Sequence, residues 1–203
     1  MIRIRHKVAI VLAGLFVTGL TGQASAEQRP ADCVAAVRDR PSLDAKRLPG
    51  LRFRMVTDVI GWYRDKSGEK IELTLRHGEE AAELKDGVAL RVTQGGCETY
   101  GNRYEFSFSK PPPANADGAY WLRKTSELLL EIAPANMEPG AFPLQKLART
   151  LARKAQDPKV ARTLLKDGLE GQLKPGPYAS TYDVEVEQRA GKTVLTVGYG
   201  STL

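Results

Sequence analysis

Beyond His6, near its start, the chain of 203 residues holds one histidine, His77, so any mechanism needing a neutral-pH general base must use it or do without. A hairpin folded about Ser67-Gly68 sets Asp58 opposite His77. A carboxylate that orients an imidazole is half of the arrangement that activates a serine. Ser180 would have to arrive by tertiary folding, and no Gly-x-Ser-x-Gly elbow is present. The blander reading makes His77 a solvated residue at a turn just before Gly78.

Asp183, Glu185 and Glu187 alternate along one stretch. In a strand they share a face at steps of about 7 Å, since each residue rises about 3.3 Å. That spacing suits an inverting glycoside hydrolase. Such an enzyme also needs one carboxylic acid desolvated in a cleft, and nothing in the sequence marks one. An outward strand face kept soluble by charge accounts for the same pattern.

Two further groups suit binding better than catalysis. Lys146, Arg149 and Arg153 fall on the helix side opposite the leucines, and Lys159, Arg162 and Lys166 follow on the next helix. Such stripes would receive an acidic protein or an anionic envelope polymer. Against this stands an ordinary solvated helix face, compensated by Asp157 and Asp167. The second group is the loop from Gly95 to Asn102, in which Tyr100 and, just beyond it, Tyr104 flank a Gly101-Asn102 turn and Cys97 would anchor the backbone. A loop held by a disulfide loses less entropy on binding. The binding residues expected from sequence are therefore Tyr100, Asn102, Arg149, Arg153 and Arg162. No catalytic residue, metal ligand set or cofactor motif is assigned.

The elements that must position these residues begin after an export signal. Arg3, Arg5 and Lys7 precede an apolar run from Val8 to Leu20, and Ala24-Ser25-Ala26 precedes Glu27. This is the layout of a secretory signal peptide over residues 1–26. The run of about 13 residues is shorter than the roughly 20 that span a bilayer, so it is read as cleaved. No membrane span is expected, and the product is assigned to the periplasm of a Gram-negative cell.

The formal charge of +6 includes three cations from the signal, leaving about +3, too mild for a nucleic-acid binder. The 42% hydrophobic and 27% charged composition fits one globular domain over residues 27–203. The only cysteines, Cys33 and Cys97, are expected to form a disulfide in an oxidising compartment. Closing about 65 residues would stabilise by roughly 4 kcal/mol on the chain-entropy model.

A short helix is expected over Ala31 to Arg38. Alternation then predicts three hairpins. In the first, Trp62 faces Leu73 and Ile60 faces Leu75, with a bulge near Thr57 and Asp58. The second pairs Val88, Leu90 and Val92 with Phe108, Phe106 and Tyr104. The last pairs Val186, Val184 and Tyr182 with Leu195, Val197 and Tyr199. Between the second and third, helical periodicity predicts segments near 119–133, 143–156 and 158–167. The fold expected is an antiparallel α+β domain, a sheet of hairpins with about three helices inserted before the last.

These features fit an exported, non-enzymatic protein that binds another macromolecule, such as an inhibitor or immunity protein against a cell-wall-directed enzyme. The rivals are a small envelope hydrolase of glycans or esters, and a carrier whose apolar ligand lies between Trp62 and Trp121.

Overall fold

The computed structural model describes residues 40–64, 66–95, 99–174 and 180–202. Seven strands, all paired antiparallel, form one sheet in the order β1-β2-β3-β4-β7-β6-β5. They are β1 (Arg52–Arg64), β2 (Lys70–Glu83), β3 (Val88–Gly95), β4 (Thr99–Phe108), β5 (Leu169–Lys174), β6 (Ser180–Arg189) and β7 (Lys192–Thr202). Between β4 and β5 the chain forms α1 (Gly118–Ile132), α2 (Leu144–Lys154) and α3 (Pro158–Asp167). The architecture is therefore α+β. The expected helix in the Ala31 to Arg38 stretch and the Cys33–Cys97 disulfide lie outside the described residues.

The strongest alternation produces the register expected of it. Val88, Leu90 and Val92 face Phe108, Phe106 and Tyr104, while Tyr182, Val184 and Val186 face Tyr199, Val197 and Leu195. A one-residue slip in either hairpin would turn these side chains out of the core. Between β6 and β7 the turn residues Ala190 and Gly191 both have positive φ, 47° and 77°, as a two-residue turn matched to the strand twist requires.

The first hairpin departs from expectation. Trp62 faces Glu72, Gly61 faces Leu73, and the register shifts between Val59 and Gly61, so that Asp58 faces Leu75 and Val56 faces His77. The bulge lies about two residues beyond its expected place, and together with a turn offset by one residue it displaces Asp58 from a position directly opposite His77. His77 and Gly78 do not form a turn; both lie within β2, which continues to Glu83. β4 begins at Thr99, which places Asn102 in a strand. β5, absent from the sequence reading, makes the closing unit a three-stranded meander.

β2 pairs with β1 from Lys70 to Ala81 but with β3 only from Gly78 to Glu83. Among the described residues, the distal part of this hairpin is consequently a two-stranded ribbon beyond the end of β3. Val59 and Trp62, 60% and 58% exposed, lie on it.

The helices cover one sheet face. Trp121 of α1 packs edge-on against Phe108, and Phe142 edge-on against Tyr199. Leu122, Leu129 and Ile132 of α1 and Leu147 and Leu151 of α2 are fully buried with Phe106 and Leu195. The Asp117 carboxylate caps α1 by accepting from the Tyr120 N–H at 2.7 Å, and Asp157 caps α3 through the Lys159 N–H at 2.8 Å. Where α1 meets α3 the fit tolerates only glycine: a Cβ on Gly118 would lie 1.8 Å from the Ala161 carbonyl oxygen. No helix among the described residues is long and apolar enough to cross a membrane.

A non-helical segment ahead of β1 closes the core over β2. Glu80 is fully buried and accepts from the Ser42 N–H at 2.8 Å, the Ser42 hydroxyl at 2.6 Å and the Leu43 N–H at 3.0 Å. Burial pushes its pKa above the ordinary value, against the opposing pull of these three donors. The same segment donates from Asp44 N–H to Ala135 O and accepts at Ser42 O from Met137 N–H. It thereby fixes the loop that follows α1.

Candidate functional site

On the sheet face away from the helices, cross-strand spacing brings opposite charges together. Arg54 Nε donates to Glu79 at 2.9 Å, and Arg91 donates to the other oxygen of the same carboxylate. Burial alone would raise Glu79, but hydrogen bonds from Arg91 and Arg54, the charge of Arg91 and the contact with His77 outweigh it and lower its pKa from 4.5 to about 2. The ladder continues through Glu105, which meets Arg91 at 3.9 Å and Arg189 at 2.9 Å, and Arg189 also pairs with Glu187.

His77 sits inside this ladder and is buried. Its Nδ1 lies 3.6 Å from Asp58 and its Nε2 lies 3.4 Å from Glu79. The Asp58–His77 neighbourhood expected from sequence therefore exists, across a diagonal of the hairpin. Nε2 is turned to the ion-paired Glu79, while Nδ1 is too far from Asp58 for a hydrogen bond and is buried without a partner among the described residues, so neither nitrogen meets a nucleophile there, as a triad base must. Ser180 lies four strand steps away through β3, β4 and β7, about 19 Å along the sheet at roughly 4.8 Å per step. The serine arrangement does not form.

The carboxylate series of β6 is an ion-paired outer surface. Glu185 meets Arg103 at 3.4 Å, Glu187 meets Arg189, and the Asp183 carboxylate occupies the space above Gly198. Trp62 and Trp121 do not share a cavity. Trp121 is core, whereas Trp62 is exposed with the Lys70 ammonium 5.4 Å from its ring centre.

α2 is arranged differently. Its leucines point inward, and Lys146, Arg149 and Arg153 run along the opposite flank into an open recess of about 790 Å³. The facing wall is the end of α1 and the loop after it, represented by Ala133, Asn136 and Pro139. Asn136 shapes this loop: its Nδ2 donates to Phe142 O at 2.5 Å and its Oδ1 accepts from Glu138 N–H at 3.0 Å. Lys146 Nζ donates to Leu173 O at 3.2 Å, and Arg153 reaches the Thr150 hydroxyl at 3.5 Å. Among the described residues none of these three cations meets a carboxylate, and Arg149 has no polar partner.

The compensation available to this region is used elsewhere. Residues 144–167 hold seven cations and two carboxylates, a surplus of five. Asp157 caps α3, and Asp167 lies 3.7 Å from Lys166.

Of the residues singled out in the sequence, Arg149 and Arg153 are thus brought together, joined by Lys146. Arg162 is exposed on α3, donates from Nε to Pro158 O at 3.2 Å, and does not line the recess. Tyr100 is in β4 opposite Ser201, with its side chain outside the description. Asn102 is buried at 2% exposure and donates to the Tyr104 hydroxyl at 3.1 Å, so its side chain belongs to the interior.

Sequence reasoning missed that interior feature. Gln94, Asn102, Tyr199 and Tyr182 are consecutive cross-strand partners on the helix-facing side, each buried. Burial raises the pKa of both tyrosines, with a hydrogen bond to Ser180 opposing it at Tyr199. Asn102 Oδ1 and the Tyr182 hydroxyl are buried without a protein partner. The available signal was the apolar parity of β4 and β7, which continues from Phe106 and Leu195 into these polar positions. No group of three potential metal ligands occurs among the described residues. No protein-family model, curated protein or solved structure matches the chain.

Proposed function

We propose that this is an exported, periplasmic, non-enzymatic protein that binds an acidic envelope protein through the recess beside α2, in the manner of an inhibitor or immunity protein against a cell-wall-directed enzyme. The carrying observation is the line of Lys146, Arg149 and Arg153, concentrated on one wall of an open recess where none of them meets a carboxylate among the described residues. Uncompensated like charge on one face steers an oppositely charged partner and accelerates encounter. The burial of His77 with its Nε2 against the ion-paired Glu79 supports the non-enzymatic part of the reading.

The test is a pull-down from an envelope extract with the mature protein and with an Arg149→Glu/Arg153→Glu variant. The expected partner is acidic, leaves as salt is raised, and is missing from the variant. Retention of the same partner by the variant would overturn the reading. So would turnover of glycan or ester substrates that falls more than about a hundredfold in His77→Ala with folding intact, the scale of a lost general base.

A further inference from the structure

The recess has two chemically distinct walls. One carries the cations of α2. The other is lined by Ala133, Asn136 and Pro139. The exposed apolar residues Leu130 and Met137 lie close to these in the chain, Leu130 three residues before Ala133 and Met137 next to Asn136. An apolar wall facing a cationic stripe distinguishes this surface from a site for a plain polyanion, which needs charge alone.

The spacing of the cations restricts the partner further. Lys146, Arg149 and Arg153 are separated by three and then four residues, steps of about 4.5 and 6 Å along the helix axis and about 10.5 Å in all. Carboxylates at i, i+3 and i+7 of another helix repeat those steps. An extended strand offers same-face groups every 6.6 Å or so, about 13 Å over three contacts, and falls progressively out of step.

We infer that the recess receives an acidic amphipathic helix of the partner protein, with carboxylates at i, i+3 and i+7 against Lys146, Arg149 and Arg153 and apolar side chains against Leu130 and Met137. This is helix-in-groove recognition with a charged seam. The inference rests on the reading of the recess as the binding site, and its test separates the two.

The mature chain is titrated, with fluorescence anisotropy as readout, against four probes. They are a labelled fifteen-residue Glu/Leu peptide with that helical pattern, a scrambled peptide of the same composition, poly-glutamate, and phosphatidylglycerol vesicles. The patterned helix is expected to bind at least tenfold tighter than the scramble or poly-glutamate. Arg149→Glu/Arg153→Glu should abolish this binding, and Leu130→Ser/Met137→Ser should remove the tenfold preference while leaving weak, salt-sensitive binding. Circular dichroism of each variant establishes that it is folded. Equal binding of patterned peptide, scramble and poly-glutamate would overturn the helix inference and leave the acidic-partner reading standing. Binding to vesicles with none to peptides would overturn the inference in favour of a membrane surface. No binding to any anionic probe would overturn both.

Discussion

On the outer sheet face Arg54, Arg91, Arg103 and Arg189 each lie against a carboxylate of another strand, whereas on α2 Lys146, Arg149 and Arg153 lie against none among the described residues. The difference follows from the two lattices. Cross-strand and diagonal neighbours in a sheet lie about 5–8 Å apart and alternate in sign at little cost. A helix stripe places its members at i, i+3 and i+7 on one side, so a stripe of one sign carries a repulsion of a few tenths of a kcal/mol per pair. The sheet neutralises itself and gains stability. The helix accepts a small penalty, and its charge remains available to another molecule.

That contrast makes four measurable claims. The largest effect is expected at Glu79, which serves two guanidinium groups from a buried position. Glu79→Ala should lower stability by about 2 kcal/mol, held below the fully buried case because Arg54 and Arg91 are themselves largely exposed. A urea midpoint within error of wild type would show that the ladder is ornamental.

The same carboxylate sets a pH signature. Its folded-state pKa is depressed from 4.5 to about 2, so its contribution is full above about pH 4.5 and is lost as pH falls toward 2. Glu79→Gln should therefore be less stable than wild type near neutrality and converge with it near pH 2 in an acid titration followed by circular dichroism. A difference that persists unchanged at acid pH would assign the loss to packing.

Arg189 bridges Glu105 and Glu187 from a half-exposed position, and Arg189→Ala should cost about 0.5–1 kcal/mol in calorimetry. A loss above 2 kcal/mol would show stronger coupling along the ladder than exposed pairs provide. The smallest effect belongs to α2: Arg149→Ala/Arg153→Ala should change stability by less than about 0.5 kcal/mol while partner association slows. Marked destabilisation of this double variant would make the stripe structural and erase the contrast.

Legibility in the sequence followed how local each constraint is. The second and third hairpins and the three helices were readable because Val88 to Val92, Tyr182 to Val186 and the leucines of α2 repeat at the period of their element. The first hairpin was misregistered twice over: its turn is offset by one residue, pairing Arg64 with Lys70, and the bulge beside Ile60 adds a further residue that alternation alone does not place. β5 escaped because Leu169-Glu-Gly-Gln-Leu173 presents only two apolar residues, and its pairing with β6 supplies the rest. For the site, the cationic half was legible as a stripe on one helix. The opposite wall depends on Asn136 holding Phe142 by a side-chain bond that no periodicity announces, and on the Ser42–Leu43 segment, which meets Asn136 from far away in the chain. His77 was misread because Gly78 resembles a turn signal. In the fold that glycine leaves room for the Gln94 side chain, whose Cγ would be 2.7 Å from an added Cβ.

The ribbon formed by the distal parts of β1 and β2 has a kinetic consequence. Two strands without a third, or a packed face, are marginally stable in water. Amides of Val59 and Thr74 should therefore exchange with deuterium through local opening, while those of Leu90 and Leu195 wait for global unfolding. A protease acting near Ser67-Gly68 would cut while the proximal parts of β1 and β2 and the other five strands stay folded, so the molecule carries within one continuous sheet a segment that breathes on its own clock.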